Sequence, residues 1–172
     1  MNSKLSAIFA RRSIRKYTDQ HISDEAVHDL LEAAMAAPSP AGTDSWHFIV
    51  IRNPATLTAL AAAMENGRHL AHAGVGILVC TDPARAHEGR LEHAVQECSA
   101  AMTQLLLAAS MTGLSGCWCS VHPHEDRVKL AHSLLGIPAP ILPVAIAAIG
   151  WPAERAEPRT RFRANRVHDE RW

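Results

Sequence analysis

The run LEHAVQECSAAMTQLLLAASMTGLSGCWCSV, residues 91–121, decides the fold. Between Leu91 and Met111 it contains neither proline nor glycine and is rich in Ala, Leu, Met, Gln and Glu, the strong helix formers. That predicts the longest helix of the chain. From Ala100 onward the helix is apolar nearly all round, which places it in the middle of a core. Gly113 and Gly116 break it, and Cys117 to Val121 then reads as a strand.

The flanking segments alternate in type without a regular βαβ rhythm. Upstream, Leu5 to Ala10 reads as a short helix, and Ser23 caps a second one with Asp24 and Glu25 in its first turn. Val27, Leu30, Leu31, Ala34 and Met35 keep the spacing of a one-sided helix until Pro38 and Pro40 stop it. His47 to Ile51 is a short apolar strand closed by Asn53-Pro54, Thr56 to Met64 another helix, and Val75 to Cys80 a buried strand. Downstream, Asp126 to Leu135 forms an amphipathic helix capped by Gly136, and Ile141 to Ile149 a last buried strand. Mixed elements of this kind imply an α+β domain. A single domain over 1–172 is expected, with 153–172 a C-terminal extension that lacks any helical or strand period. Six arginines fall between Arg155 and Arg171, and the extension is expected to lie on another surface.

Composition narrows the function classes. The chain carries 17 Lys+Arg against 17 Asp+Glu, so no general attraction to nucleic acid or anionic membrane is expected. The start has no apolar run that would make a signal peptide, and the stretch from Pro138 to Trp151 is broken by three prolines. Cys80, Cys98, Cys117 and Cys119 show neither zinc nor disulfide-framework spacing. A soluble, reduced, cytoplasmic protein is the expectation.

Against that neutral background one cationic cluster stands out, Arg11-Arg12-Ser13-Ile14-Arg15-Lys16-Tyr17. It fits either a solvated basic turn or an anion site, and arginine forks suit a phosphate. Two further segments carry polar donors: the loop from Ala37 to Trp46, and Arg159-Thr160-Arg161-Phe162-Arg163 in the tail.

Together these residues carry a resemblance. The chain resembles the FMN-dependent nitroreductase family in its small single-domain form. The matching stretches are RRSIRKYT at 11–18, AAPSPAGTDSWHFIV at 36–50, QECSAA at 96–101, LLLAASMTGLSGCW at 105–118 and TRFRANRVHDERW at 160–172. They occur in order and span essentially the whole chain.

The resemblance implies a central, mainly antiparallel sheet flanked by helices, in an intertwined homodimer with FMN at the subunit interface and the C-terminal segment crossing to the partner. By that likeness Arg11, Arg12, Ser13 and Arg15 hold the FMN phosphate and ribityl chain, and Arg161 completes the phosphate site with Arg159 or Arg163. Pro38 and Ser39 approach the flavin from the partner subunit. Ser120, Val121 and His122 present backbone groups near the isoalloxazine. No catalytic side chain is required, because the cofactor carries the redox chemistry. NADH or NADPH is the implied electron donor, and a nitroaromatic, quinone or similar small electrophile the implied acceptor, in ping-pong order. An FMN-binding module that stores or senses flavin without nicotinamide turnover is the alternative.

One loop departs from the family pattern, which runs close to A-P-S-A-x-N-x-Q-P-W. Gly42 stands at the Asn position, Asp44 at the Gln position and Ser45 at the Pro position. Asp44 brings a carboxylate toward a flavin that turns anionic on reduction, unless it faces outward or finds a partner. Trp46 fits either a pocket wall or a strand anchor. Cys117 and Cys119 share one face of their strand, as structural thiols or as a redox pair. No metal site is expected, since His122 and His124 lack a third ligand.

Overall fold

A computed structural model describes residues 2–172, so Met1, the first residue of the expected domain, lies outside the described part. Helices α1 (Ser6–Ala10), α2 (Asp24–Met35), α3 (Pro54–Ala62), α4 (Leu91–Met111) and α5 (Glu125–Leu135) surround strands β1 (Trp46–Ile51), β2 (Val75–Thr81), β3 (Ser115–Ser120) and β4 (Leu142–Gly150). The strands form one antiparallel sheet in the order β1-β2-β4-β3.

The α+β expectation holds, and the layering follows from side-chain alternation. Every residue of β2 is buried, which requires cover on both faces of the sheet. Ile77 and Val79 pack on the α2/α4 side with Val27, Leu30, Cys98, Met102 and Leu105. Leu78 and Cys80 pack on the other side with Leu57 and Leu60 of α3 and Ala131 of α5. Trp46 is buried in the α2/α4 core, so it anchors a strand.

Local signals explain the element ends. The Ser23 hydroxyl accepts the Ala26 N–H at 3.1 Å and caps α2. Asn53 caps α3 through the N–H groups of Ala55 and Thr56, and Pro54 occupies the first turn. That helix therefore starts two residues before the expected Thr56. Gly136 ends α5 with φ 63°, a left-handed cap that glycine adopts without a Cβ penalty.

Helix α4 spans the expected residues, but one side of it is not enclosed. Thr103 and Met111 are exposed and Ala100, Leu107 and Ala108 only half-buried, next to exposed Leu5 and Ile8. The open side leaves apolar surface exposed at Met111, Leu5 and Ile8.

Two chain segments close the β3 edge. Ser13 bridges Gly116 in parallel fashion, and the Ile14 N–H donates to Gly116 O at 3.3 Å. Further on, the Thr18 N–H donates to Trp151 O at 2.9 Å and the Ala153 N–H to Lys16 O at 2.8 Å. The Tyr17 ring lies against Gly150, where an added Cβ would sit 2.5 Å from Tyr17 Cδ1. The C-terminal segment thus starts by pairing with the cationic segment. It then runs exposed to the end, with Phe162, Val167 and Trp172 all facing solvent.

Candidate cofactor-binding site

The cationic segment is laid along the outer edge of β3, and its side chains divide. Arg11 and Ser13 line a cavity of about 210 Å³ with Thr103, Leu106 and Trp118. Arg15, Arg11 and Ser13 all act on the Cys117 thiol, which burial pushes above its usual range while Arg15 and Ser13 oppose the rise. Arg12 points away from that group. Its guanidinium donates to Glu157 O in the tail, beside Glu154. The structure therefore gathers Arg11, Ser13 and Arg15, and it turns Arg12 toward the C-terminal segment.

A second cavity of about 340 Å³ adjoins the end of β3, lined by Met64 to Gly67, Trp118 to Ser120, His124 and Arg127. Trp118 is common to both cavities, so it separates the arginine cavity from the one beyond Ser120. Ser120 is exposed, and its carbonyl accepts from Arg127 Nη1 at 2.9 Å. Val121 is buried, and the N–H groups of Val121 and His122 both donate to Val144 O at 3.0 Å. Those two amides are held in place by β4.

His69 completes the neighbourhood, and sequence reasoning missed it. Its Nε2 lies 3.4 Å from Cys119 Sγ, joining a loop residue to a strand residue fifty positions away. Burial lowers the His69 pKa and the Arg15 charge lowers it further, with Glu154 opposing. Burial pushes the Cys119 thiol up to about 12, so this pair is a structural contact between neutral groups. Asn66 was missed for the same reason: its place on the cavity wall depends on how the segment after α3 folds back. The four cysteines are all free and buried.

Pro38 and Ser39 do not join this group within one chain. They precede β1 at one edge of the sheet, whereas Ser13 lies on β3 at the opposite edge. Strands in a sheet are about 4.8 Å apart, so three spacings separate the edges by roughly 14 Å. The ends differ as well: Trp46 pairs with Thr81 at one end of β2, and Gly116 pairs with Ile149, the partner of Val75 at the other end. Asp44 meets the Ser39 hydroxyl, which donates to its carboxylate, so the carboxylate is partnered inside the loop. In the tail, the Arg159 N–H donates to Phe9 O at 3.1 Å, next to the cationic segment. The Arg161 side chain makes no hydrogen bond among the described residues.

The donor set fits a phosphate monoester. Arg11 and Arg15 form no ion pair among the described residues, and a serine hydroxyl lies between them in sequence. A buried or half-buried anion needs that kind of charge-assisted donor set. No cluster of metal-ligating side chains is present among the described residues.

The fold and this edge site define a class. The nitroreductase family model matches residues 8–151, and the chain belongs to that family. An Archaeoglobus fulgidus protein named "Putative NADH dehydrogenase/NAD(P)H nitroreductase" is 39% identical over 100% of both chains. Among solved structures, a Desulfovibrio desulfuricans nitroreductase-type protein in complex with FMN superposes with a TM-score of 0.83 at 34% identity, covering 100% of this chain and 99% of its own. An FMN-dependent nitroreductase from Clostridium difficile superposes with a TM-score of 0.89 at 25% identity, covering 98% and 99% of the two chains. No helix among the described residues is long and apolar enough to cross a membrane.

Proposed function

We propose that this chain is an FMN-dependent oxidoreductase that draws electrons from NADH or NADPH and reduces a small electrophilic acceptor, such as a nitroaromatic or a quinone, in ping-pong order. The observation that carries the reading is the gathering of Arg11, Ser13 and Arg15 along the β3 edge, beside two cavities that share Trp118. The family membership and the FMN-bound relative support it.

In this reading Arg11, Ser13 and Arg15 hold the phosphate and ribityl chain. Arg12 acts through the tail, fixing the segment that brings Arg159 and Arg161 to the same anion. The backbone at Ser120, Val121 and His122 borders the ring. When bound, FMN would supply the hydride- and electron-transfer chemistry between nicotinamide and acceptor. The protein's part is orientation, neutralisation of the phosphate and exclusion of water from one ring face.

The working unit is a homodimer. Two observations favour it: Pro38 and Ser39 lie at the sheet edge opposite the arginines, and the open face of α4 with the stranded Phe162, Val167 and Trp172 needs a cover. A second copy meets both needs, its Pro38 and Ser39 reaching the flavin held by the first chain. The enzyme works in the cytoplasm, where its thiols stay reduced.

Addition of FMN to cofactor-stripped protein tests the reading. Bound, quenched flavin fluorescence with a rise in melting temperature is expected. A protein that neither retains FMN nor is stabilised by it contradicts the proposal.

A further inference from the structure

The central helix carries a carboxyl group that the proposed chemistry does not use. Glu97 is 1% exposed, in the core-facing half of α4. A carboxyl buried that deeply needs donors, and Ser45 supplies two. Its Oε1 accepts the Ser45 hydroxyl and its Oε2 accepts the Ser45 N–H at 3.3 Å; the Thr43 hydroxyl lies 3.4 Å from Oε2 but donates to Pro40 O at 3.0 Å. Ser45 Oγ also lies 2.7 Å from Thr81 Oγ1 on β2, and Ser45 O accepts the Asp82 N–H at 2.9 Å.

The loop so held is costly to form. Ala41, Gly42 and Asp44 adopt φ of 54°, 65° and 46°, in the left-handed region. For Ala that conformation is disfavoured, and for Asp less so. Such a conformation persists only where its surroundings over-determine it. Here the hydrogen bonds to Glu97, the Ser45–Thr81 contact and the Ser39–Asp44 pair do so. A proline at position 45 would remove the N–H that reaches Glu97. This chain has Ser45 there, and the hydroxyl and N–H of Ser45 both go to Glu97.

We infer that Glu97 is a positioning residue for the reaction: through Ser45, with Thr43 beside it, it holds the loop at residues 39–45 in the shape that presents Pro38 and Ser39 to the flavin. The inference rests on the flavoprotein reading for its second half only. The first half, that Glu97 sets the loop's shape, is a property of the protein without cofactor. A glutamine at position 97 offers one acceptor and one donor where the loop needs two acceptors, so its amide opposes the Ser45 N–H or a hydroxyl. Removing the loop's anchor raises the ordering cost that FMN binding must then meet.

The test compares wild type with Glu97→Gln and, because Glu97 is in the core, with the loop-side pair Ser45→Ala and Thr43→Val. Amide hydrogen exchange across residues 39–45 is measured on cofactor-free protein, with β2 and β4 as internal controls. FMN dissociation constants come from flavin fluorescence. Loop exchange at least ~10-fold faster with sheet protection retained, together with FMN binding weakened ~10-fold or more, is expected in the variants that fold. Unchanged loop exchange overturns the positioning role, and so does a loosened loop with unchanged FMN affinity. Wild-type protein that binds no FMN refutes the flavoprotein reading instead, while the exchange comparison still decides whether Glu97 holds the loop.

Discussion

The Glu154 carboxylate accepts the backbone N–H of Arg15 at 2.7 Å and, through the same Oε1, that of Lys16 at 3.2 Å. A residue of the C-terminal segment thereby fixes the backbone of the cationic segment it lies against. Because one oxygen takes both donors, Glu154→Gln keeps an acceptor, though not the charge, and is expected to lose less stability than Glu154→Ala. Glu154→Ala is expected to lose about 1–2 kcal/mol of stability and to bind FMN more weakly, read by denaturant unfolding and by flavin titration.

The split between Arg12 and its neighbours makes a second expectation. Arg15→Ala or Arg11→Ala removes a donor to the phosphate and should weaken FMN binding by roughly 10- to 100-fold with little loss of stability, at about 1.5–3 kcal/mol per charge-assisted bond. Arg12→Ala instead frees the tail at Glu157. Its signature is protease sensitivity beyond Trp151 in the cofactor-free protein, which the other two substitutions leave unchanged. Equal tail sensitivity in all three variants contradicts the division of labour.

His69 sets an acid limb. Burial and then Arg15 hold its folded pKa below the usual histidine value, so the unfolded state binds more protons as pH falls through about 6.5. Stability is therefore lost from about pH 6.5 downward until the folded form also protonates. His69→Gln should flatten the melting temperature of cofactor-free protein against pH in that window and leave it unaltered above pH 7.5.

The thiols set an alkaline limb. Burial pushes Cys80, Cys98 and Cys119 up to about 12, so the folded protein keeps protons that the unfolded chain releases above about pH 8.5. Stability is expected to fall as pH rises past that point. At pH 8 a thiol reagent should find four reactive cysteines in denaturant and fewer than one rapidly reacting group in the native protein.

Much of this fold is legible in the residues, and the reason is periodicity. The pattern from Val27 to Met35, the apolar strand runs and the uninterrupted run from Leu91 to Met111 are local signals, and those elements appear close to where the signals lie. The exception is β3, which begins at Ser115 and takes in Gly116, expected as a breaker, and stops short of Val121. What escapes is tertiary. The cationic cluster is evident as charge, yet nothing in RRSIRK says that Arg12 turns to Glu157 while Arg11 and Arg15 stay by β3. Glu97 reads as one of several polar residues in the first half of α4 until the Ser45 hydroxyl and N–H are seen to reach it. Asp44, out of place in the family pattern, has its partner in Ser39, five residues back but only once the loop turns left-handed. His69 and Cys119 meet because the segment after α3 folds against β3, a contact with no local signature.

The central claim is electron transfer from a nicotinamide through bound FMN, and anaerobic mixing of FMN-loaded protein with NADH and with NADPH tests it most directly. The account predicts loss of the oxidised flavin absorbance with at least one of the two, and its return when a quinone or nitroaromatic is added. Flavin that stays bound and oxidised under both nucleotides contradicts the account and leaves a flavin-binding module in its place.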